Sequence, residues 1–380
     1  MTAFLVCFIF TPIFTYLAQK NFEKSDTKNR MLGIVFSVIA ILIPSIIAGV
    51  RDLTVGRDIG VYVTPAIESA TNSNFWDYMT NSANEIGYSL LIYIITIFTD
   101  NVHFSLFCIQ LITITFIYLF AYKKRDKLQM WLVMLIYLLS WYCISYTMMR
   151  QSIAVAIIIF STVFFERKKY IKTVLLFLLA MSFHLTAVLG IVVYIMMYIY
   201  SGKFSKKTTR IITTIISVGL VIATLFYKEL LYFLTNVLNV LPDRFYGYAV
   251  EYTAGKLYTN YSELLYKLFW IIGAIFYMVK MRKVENNSKL ILMLLLIDFA
   301  TFIVSWKIVN IGRAGYYFFY IGLFYLIPEI VEMFKEKKQN QIVICVIMIL
   351  VMFVFWYWKF PINSYSDTYP YTSSILPFLN

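Results

Sequence analysis

The chain of 380 residues has few charged side chains, few histidines and few cysteines. Charged residues make up 14% of it, and 2 histidines are too few for a histidine-based metal cluster. The 4 cysteines all lie inside apolar runs without Cys-x-x-Cys spacing, so we expect packing residues rather than disulfides or metal ligands. No dense cluster of carboxylates is present either. The sequence therefore predicts neither a metal site nor a cofactor.

Apolar residues dominate instead. They make up 61% of the chain, and the mean hydropathy is +0.75. Apolar stretches of about 18 to 20 residues recur along the chain, the length that crosses the hydrocarbon core of a bilayer. Because these runs are continuous and do not alternate, they predict helices rather than barrel strands. The expected fold is all-α: one polytopic membrane domain over residues 1–380 with about 12 to 14 transmembrane or re-entrant helices.

The net charge of +13 does not indicate nucleic-acid binding. Lys and Arg lie mostly in short loops between apolar runs, where they set orientation, and there is no soluble basic domain to hold a duplex. Predicted cytoplasmic loops are 20–30, 123–127, 166–172, 203–210, 280–289 and 335–338. Predicted outer segments are a loop at 51–85, a Tyr-rich loop at 229–262 and a C-terminal tail at 359–380.

The predicted spans are 2–18, 31–50, 86–99, 103–122, 130–148, 150–165, 170–183, 185–200, 211–228, 263–280, 289–306, 313–331 and 340–358. With 51–85 outside, two full spans before residue 123 would leave the basic cluster at 123–127 on the wrong side. The run at 86–99 has only about 14 residues, which is short for a crossing. We therefore expect a re-entrant or tilted half-helix there.

Several arginines lie outside the basic clusters, at the ends of apolar runs or in Tyr-rich loops on the predicted outer side. They are Arg51, Arg57, Arg150, Arg244 and Arg313. The positive-inside bias does not explain them. A guanidinium grips phosphate oxygens with paired donors and stays charged, so a diphosphate site is one explanation. Snorkelling of a long side chain to the interface is the other.

Two further features carry candidate chemistry. Asp58 lies between Gly56 and Gly60 in a segment rich in charges, and either binds a sugar hydroxyl or pairs with Arg57 or Arg51 in an interfacial cap. His184 lies at a break between two apolar runs. It is either a hydrogen-bonded interfacial residue or a group that donates to phosphate or moves a proton.

The order of these motifs resembles the EpsG family of bacterial polysaccharide polymerases, relatives of the Wzy polymerases. The motifs are Arg51 followed by Val55-Gly56-Arg57-Asp58-Ile59 and Tyr62, then Glu85-Ile86-Gly87-Tyr88, Arg150-Gln151-Ser152-Ile153-Ala154, Phe183-His184-Leu185-Thr186-Ala187, Arg313 with Tyr317 and Phe318, and Tyr369-Pro370-Tyr371. Arg57 and Ile59 replace the Thr and Tyr of the family pattern, and Thr186 replaces a Ser. The resemblance covers most of the chain, from Arg51 to the tail.

The resemblance implies a multi-pass enzyme of the bacterial cytoplasmic membrane that polymerises capsule, exopolysaccharide or O-antigen repeat units. Its substrates would be oligosaccharides on undecaprenyl diphosphate, and the flippase and chain-length regulator of that pathway would be its partners. Expected catalytic residues are Asp58, Glu85 and His184. Expected substrate-binding residues are Arg51, Tyr62, Arg150, Gln151, Arg244, Arg313 and Tyr317.

Two other functions stay open from the residues alone. A glycan ligase or another transferase on the same lipid carrier shares the donor chemistry and differs in its acceptor, which the sequence does not name. A transporter or flippase usually carries ionisable residues near the bilayer midplane. The conspicuous acid inside a predicted span here is Asp298.

Overall fold

A computed structural model describes residues 1–24, 26–238, 260–280, 285–307 and 309–380. The described residues are helical and contain no strand. Most of the predicted Tyr-rich loop at 229–262, with Arg244, lies outside them. By its internal contacts the chain divides into two compact units, Met1–Val188 with Val331–Asn380, and Leu189–Ile330. The single membrane domain predicted over residues 1–380 stays a prediction.

The α-helices are numbered in chain order. They are α1 Thr2–Phe22, α2 Thr27–Gly49, α3 Thr64–Thr71, α4 Phe75–Asn81, α5 Ile86–Thr96, α6 Val102–Lys123, α7 Met130–Ser140, α8 Tyr142–Ser145, α9 Met149–Glu166, α10 Tyr170–Phe183, α11 Gly190–Ile199, α12 Lys206–Leu225, α13 Tyr227–Tyr232, α14 Tyr261–Lys280, α15 Glu285–Ser305, α16 Tyr316–Met333 and α17 Lys338–Tyr357. Polar side chains cap several of them. Asp26, Asn74 and Asn101 accept hydrogen bonds from the first-turn backbone of α2, α4 and α6.

The predicted all-α membrane fold is confirmed. Within the described residues, 8 helices are long and apolar enough to cross a membrane, or up to 9 if one pair bent by 92° at 206–237 counts as a single span. Shorter apolar helices lie at Ile86–Thr96, Met130–Ser140, Tyr170–Phe183 and Leu185–Ile199. These short helices account for the difference from the predicted number of spans.

The prediction of one continuous span at 130–148 is wrong. Helix α7 ends at Ser140, and the chain passes through the short helix α8 before α9 begins. Aromatic side chains hold this break in place. The indole of Trp141 donates to Ser152 at 3.1 Å, and the hydroxyl of Tyr142 donates to the Pro44 carbonyl at 2.6 Å. Helix α9 is largely buried, which explains why its sequence is apolar on all sides.

The predicted cytoplasmic loops 123–127 and 166–172 meet at one end of the first unit. Lys124 pairs with Glu166, and the Arg167 guanidinium donates to the Lys123 carbonyl at 2.9 Å. Gln19, at the end of α1, donates to the Arg125 carbonyl at 3.2 Å. Charged loops far apart in sequence therefore share one end, as the Lys/Arg pattern predicts.

The opposite end of this unit gathers segments predicted to lie outside. The Asp52 backbone N–H donates to Thr372 at 2.9 Å, and the Thr147 hydroxyl donates to Ser366 at 3.2 Å. The loop predicted at 51–85 is partly helical, because it contains α3 and α4.

Helix α5 has both of its flanks at this same end. Glu85, just before it, contacts Arg150, and His103, shortly after it, bonds to the Gly49 carbonyl at the end of α2. Its 11 residues are too few for a crossing. The chain from α2 to α6 therefore enters and returns at one end, as expected for 86–99.

The orientation of the first unit is testable by labelling single cysteines in a background without the 4 native ones. Ala83→Cys lies on the exposed stretch before α5 and Lys127→Cys on the exposed basic loop after α6. We expect an impermeant thiol reagent added outside intact cells to label Ala83→Cys and to label Lys127→Cys only after lysis. The reverse pattern would invert the assignment of the two ends.

Candidate functional site

Arg51 is enclosed at the end of α2. It is 1% exposed, and its Nε donates to the Val55 carbonyl at 3.0 Å. The same guanidinium donates to the carbonyls of Ala48 and Tyr146 and lies 4.2 Å from the centre of the Tyr146 ring. These contacts order the turn that leaves α2. The predicted contact of Arg51 with a diphosphate stays a prediction.

The C-terminal tail folds over the turn that Arg51 supports. Gly56 has a φ of +102°, its N–H donates to the Asp367 carbonyl at 2.9 Å, and an added Cβ would lie 3.0 Å from the Tyr146 carbonyl oxygen. Glycine suits both the positive φ and the close approach. Tyr371, from the Tyr369-Pro370-Tyr371 motif, donates to the Ile47 carbonyl at 2.8 Å. The motif thus fastens the tail to the end of α2.

Arg57 forms an ion pair with Asp367 of the tail. Its Nε lies 2.5 Å from Oδ2, and its second donor lies 3.4 Å from Oδ1. The hydrogen bond from Arg57 holds the pKa of Asp367 below its ordinary value. Both side chains are more than half exposed, at 66% and 52%, so this pair contributes little to stability. Arg57 therefore serves as a surface contact to the tail.

Arg150 has a different environment, because it is half-buried among chemically useful groups. Its guanidinium donates to the Glu85 carboxylate at 2.6 Å, with 20% and 23% of the two side chains exposed. It also lies 4.6 Å from the centre of the Tyr62 ring and 5.7 Å from that of Tyr88. We call these four residues the Arg150 cluster. It joins three motifs that are far apart in sequence.

Local folding explains how the motifs deliver these side chains. Ile59 and Val63 are wholly buried in a π-helical turn, Ile59–Val63, and the intervening Tyr62 is 40% exposed beside Arg150. Glu85 stands in extended conformation just before α5, where a carboxylate is favoured by the positive end of the helix dipole. Arg150 is in the first turn of α9, and the adjacent Gln151 is 4% exposed and faces the interior.

Asp58 and His184 border the cluster. Asp58 precedes the π-helical turn and interacts electrostatically with the Tyr88 hydroxyl. His184 ends α10, and its Nδ1 lies 2.6 Å from the Thr186 hydroxyl and 3.3 Å from the Thr186 backbone nitrogen. Helix α10 packs against α5 closely: an added Cβ on Gly87 would lie 2.3 Å from the Ser182 hydroxyl. This contact brings the end of α10 to the first turn of α5.

The second unit holds Arg313 and Tyr317. Arg313 is exposed in the 3-10 segment Val309–Gly315, whereas Tyr317 is wholly buried in the first turn of α16. Their predicted contact with a substrate stays a prediction.

The same unit contains a buried ion pair that sequence reasoning missed. Lys267 Nζ lies 2.5 Å from Asp298, with the side chains 6% and 2% exposed. The ammonium also lies 4.5 Å from the Phe319 ring centre. Asp298 was noticeable inside a predicted span, but its partner is on another helix, 31 residues away in sequence. The sequence did contain a signal for this pair, because one acid and one base lie in neighbouring apolar runs.

In the described part of the chain, no three or more His, Cys, Asp or Glu side chains lie close enough together to hold a metal ion.

Fold and site together define a polytopic helical membrane protein with a polar cluster, built around an arginine, at one end of a bundle. The chain belongs to the EpsG family, which matches it over residues 34–373. Proteins of this type are Wzy-like polysaccharide polymerases, so membership indicates a polymerase activity of the glycosyltransferase type. No curated protein and no solved structure matches the chain.

Proposed function

We propose that the protein joins oligosaccharide repeat units carried on undecaprenyl diphosphate into a surface polysaccharide, at the outer face of the bacterial cytoplasmic membrane. The observation that supports this most is the half-buried Glu85–Arg150 pair between two tyrosine rings. It combines a cation for a diphosphate, a carboxylate for a hydroxyl proton and, in the 40% exposed Tyr62, an aromatic face for a sugar ring. No nucleotide-sugar site is required, because the lipid diphosphate is itself the leaving group.

The reaction breaks the bond between the anomeric carbon of the donor glycan and the diphosphate oxygen. The electron pair stays on the diphosphate, and the acceptor hydroxyl of the next unit forms the new bond to that carbon. Such a step needs positive charge at the diphosphate and a base for the hydroxyl proton. Arg150 supplies the first, and a carboxylate supplies the second.

Arg150 and Glu85 are coupled through their own ion pair. A diphosphate competes with the Glu85 carboxylate for the guanidinium, because both are oxyanions that suit its paired donors. Donor binding therefore releases Glu85 at the moment when a base is needed. In this scheme Asp58 holds a sugar hydroxyl, and the Nε2–H of His184 donates to a phosphate oxygen. Arg244, Arg313 and Tyr317 stay predicted substrate-binding residues.

A transporter is the alternative that one observation favours. The buried Lys267–Asp298 pair is the type of intramembrane ionisable pair that transporters use. A glycan ligase is the other alternative, since it would use the same donor site with another acceptor.

The lipid-linked glycans of a deletion strain separate these functions. For a polymerase, single repeat units should accumulate on the lipid carrier at the outer leaflet, and long chains alone should vanish. A ligase defect would leave long chains on the carrier, and a flippase defect would leave single units at the inner leaflet. Long lipid-linked chains in the deletion strain would contradict the proposal. The readout is the length distribution of extracted lipid-linked glycan, with its leaflet assigned by accessibility to an added glycosidase.

A further inference from the structure

Tyr88 carries a buried hydroxyl that no described side chain or backbone group satisfies. The residue is wholly buried in the first turn of α5, and its hydroxyl has no hydrogen-bond partner among the described residues. Leaving a buried hydroxyl unpaired costs about 1–3 kcal/mol. Native proteins seldom keep such a group unless a ligand or a water completes it.

The surroundings of this hydroxyl point to an anion. The Tyr88 hydroxyl interacts electrostatically with the Arg150 guanidinium and also with the carboxylates of Asp58 and Glu85. Arg150 is half-buried and lies 5.7 Å from the centre of the Tyr88 ring. The N-terminus of α5 has no side-chain cap, so the first-turn N–H groups and the helix dipole favour negative charge there. The Glu85 carboxylate already lies against Arg150, which shows that an oxyanion fits beside this guanidinium.

We propose that the diphosphate of the donor binds at the N-terminus of α5, where the Tyr88 hydroxyl donates a hydrogen bond to it together with Arg150. This inference rests on the proposed function and gives its donor site a location. When the bond to the anomeric carbon breaks, its electron pair remains on the diphosphate oxygen, and the acceptor proton passes to the Glu85 carboxylate. Tyr88 keeps its own proton and stabilises the departing charge by hydrogen bonding alone.

Arg150 and Tyr88 differ in the contact that a substrate must displace before it binds to them. Arg150 is paired with Glu85 before the donor binds, whereas Tyr88 has no described partner to give up. A buried donor that is fixed in advance stabilises developing charge without reorganisation. Tyr88 therefore acts mainly on the rate of transfer, and Arg150 acts on both binding and rate.

The test is Tyr88→Phe in the purified full-length protein, reconstituted in liposomes with a lipid-diphosphate-linked repeat unit. We expect kcat to fall about 10²-fold, the typical loss for one such donor, with KM changed less than about 3-fold. The melting temperature should not fall, because phenylalanine keeps the ring and removes an unpaired hydroxyl.

Tyr146→Phe is the matched control. Tyr146 is also buried with its ring beside an arginine, but its hydroxyl lies next to that of Tyr142, and the arginine is the enclosed Arg51. Its kcat should stay within about 2-fold, since backbone carbonyls already satisfy Arg51. An active wild-type protein with normal kcat in Tyr88→Phe would overturn the inference and leave the proposed function intact. Equal losses in both variants, or a lowered melting temperature in Tyr88→Phe, would overturn it as well. A wild-type protein that does not extend the lipid-linked unit would refute both.

Discussion

Arg150→Lys is expected to abolish long polymer almost as completely as Arg150→Ala. Lysine keeps the charge but loses the planar pair of donors that can hold Glu85 or a diphosphate, and it stacks less well on Tyr62. We expect transfer to fall by about 10²- to 10³-fold, the range seen when one charge-stabilising donor is lost. The measurement is the length distribution of surface polysaccharide from cells with equal amounts of variant and wild-type protein.

Arg57→Lys is the matched control for this change. It alters the same functional group at the same end of the first unit, but Arg57 is 66% exposed and pairs with Asp367 of the tail. Exposed pairs contribute little, so polymer length should be unchanged. Full-length polymer from Arg150→Lys would return Arg150 to the snorkelling explanation.

Arg51→Lys distinguishes a positioning arginine from one that binds substrate. Arg51 and Arg150 look alike in sequence, because each lies at the outer end of an apolar run. In the structure Arg51 donates to backbone carbonyls inside the turn after α2, and Arg150 faces a carboxylate at a half-buried edge. Arg51→Lys should therefore lower the melting temperature along with activity, whereas Arg150→Lys should lower activity alone.

The sequence was sufficient to predict the all-α membrane fold and most of its long helices. Apolar length and the Lys/Arg pattern depend on local composition, and for this reason the charged loops near Lys124 and Glu166 meet as expected. The same pattern required a segment near 86–99 that does not cross the membrane, and α5 has both of its flanks at one end of the first unit. The sequence showed that this segment is too short to cross the membrane, because a crossing helix needs about 20 residues.

Pairings between distant residues could not be predicted in this way. Arg57 and Asp367 are 310 residues apart, and only the folded tail brings them together. The break at Trp141 was also hidden, because α7, α8 and α9 are all apolar and the hydrogen bonds of Trp141 and Tyr142 at the break go to other helices. The Tyr88 hydroxyl, which has no hydrogen-bond partner among the described residues, has no signature in sequence either, since an interfacial tyrosine of the aromatic belt looks the same.

Asp298→Ala is expected to be the most damaging single change to stability. It would leave the Lys267 ammonium without its carboxylate in an environment where both side chains are less than a tenth exposed, at 6% and 2%. Breaking a buried pair on one side typically costs about 3–5 kcal/mol, a large fraction of the stability of most proteins. We expect the variant to accumulate poorly and to unfold at a lower temperature in detergent. Asp367→Ala, which breaks the exposed pair with Arg57, should change stability by less than about 1 kcal/mol and is the control.

The double variant Lys267→Met with Asp298→Asn then decides what the buried pair is for. Removing both charges avoids an isolated one, and asparagine keeps the volume of aspartate, which matters because an added Cβ on Gly315 would lie 2.3 Å from Asp298 Oδ1. If the pair is structural, protein level and polymer should both recover. Recovery of the protein level without recovery of polymer would contradict a purely structural role. It would show that these charges are needed for activity. The transporter alternative would then gain support if the trapped lipid-linked units in that variant lie at the inner leaflet.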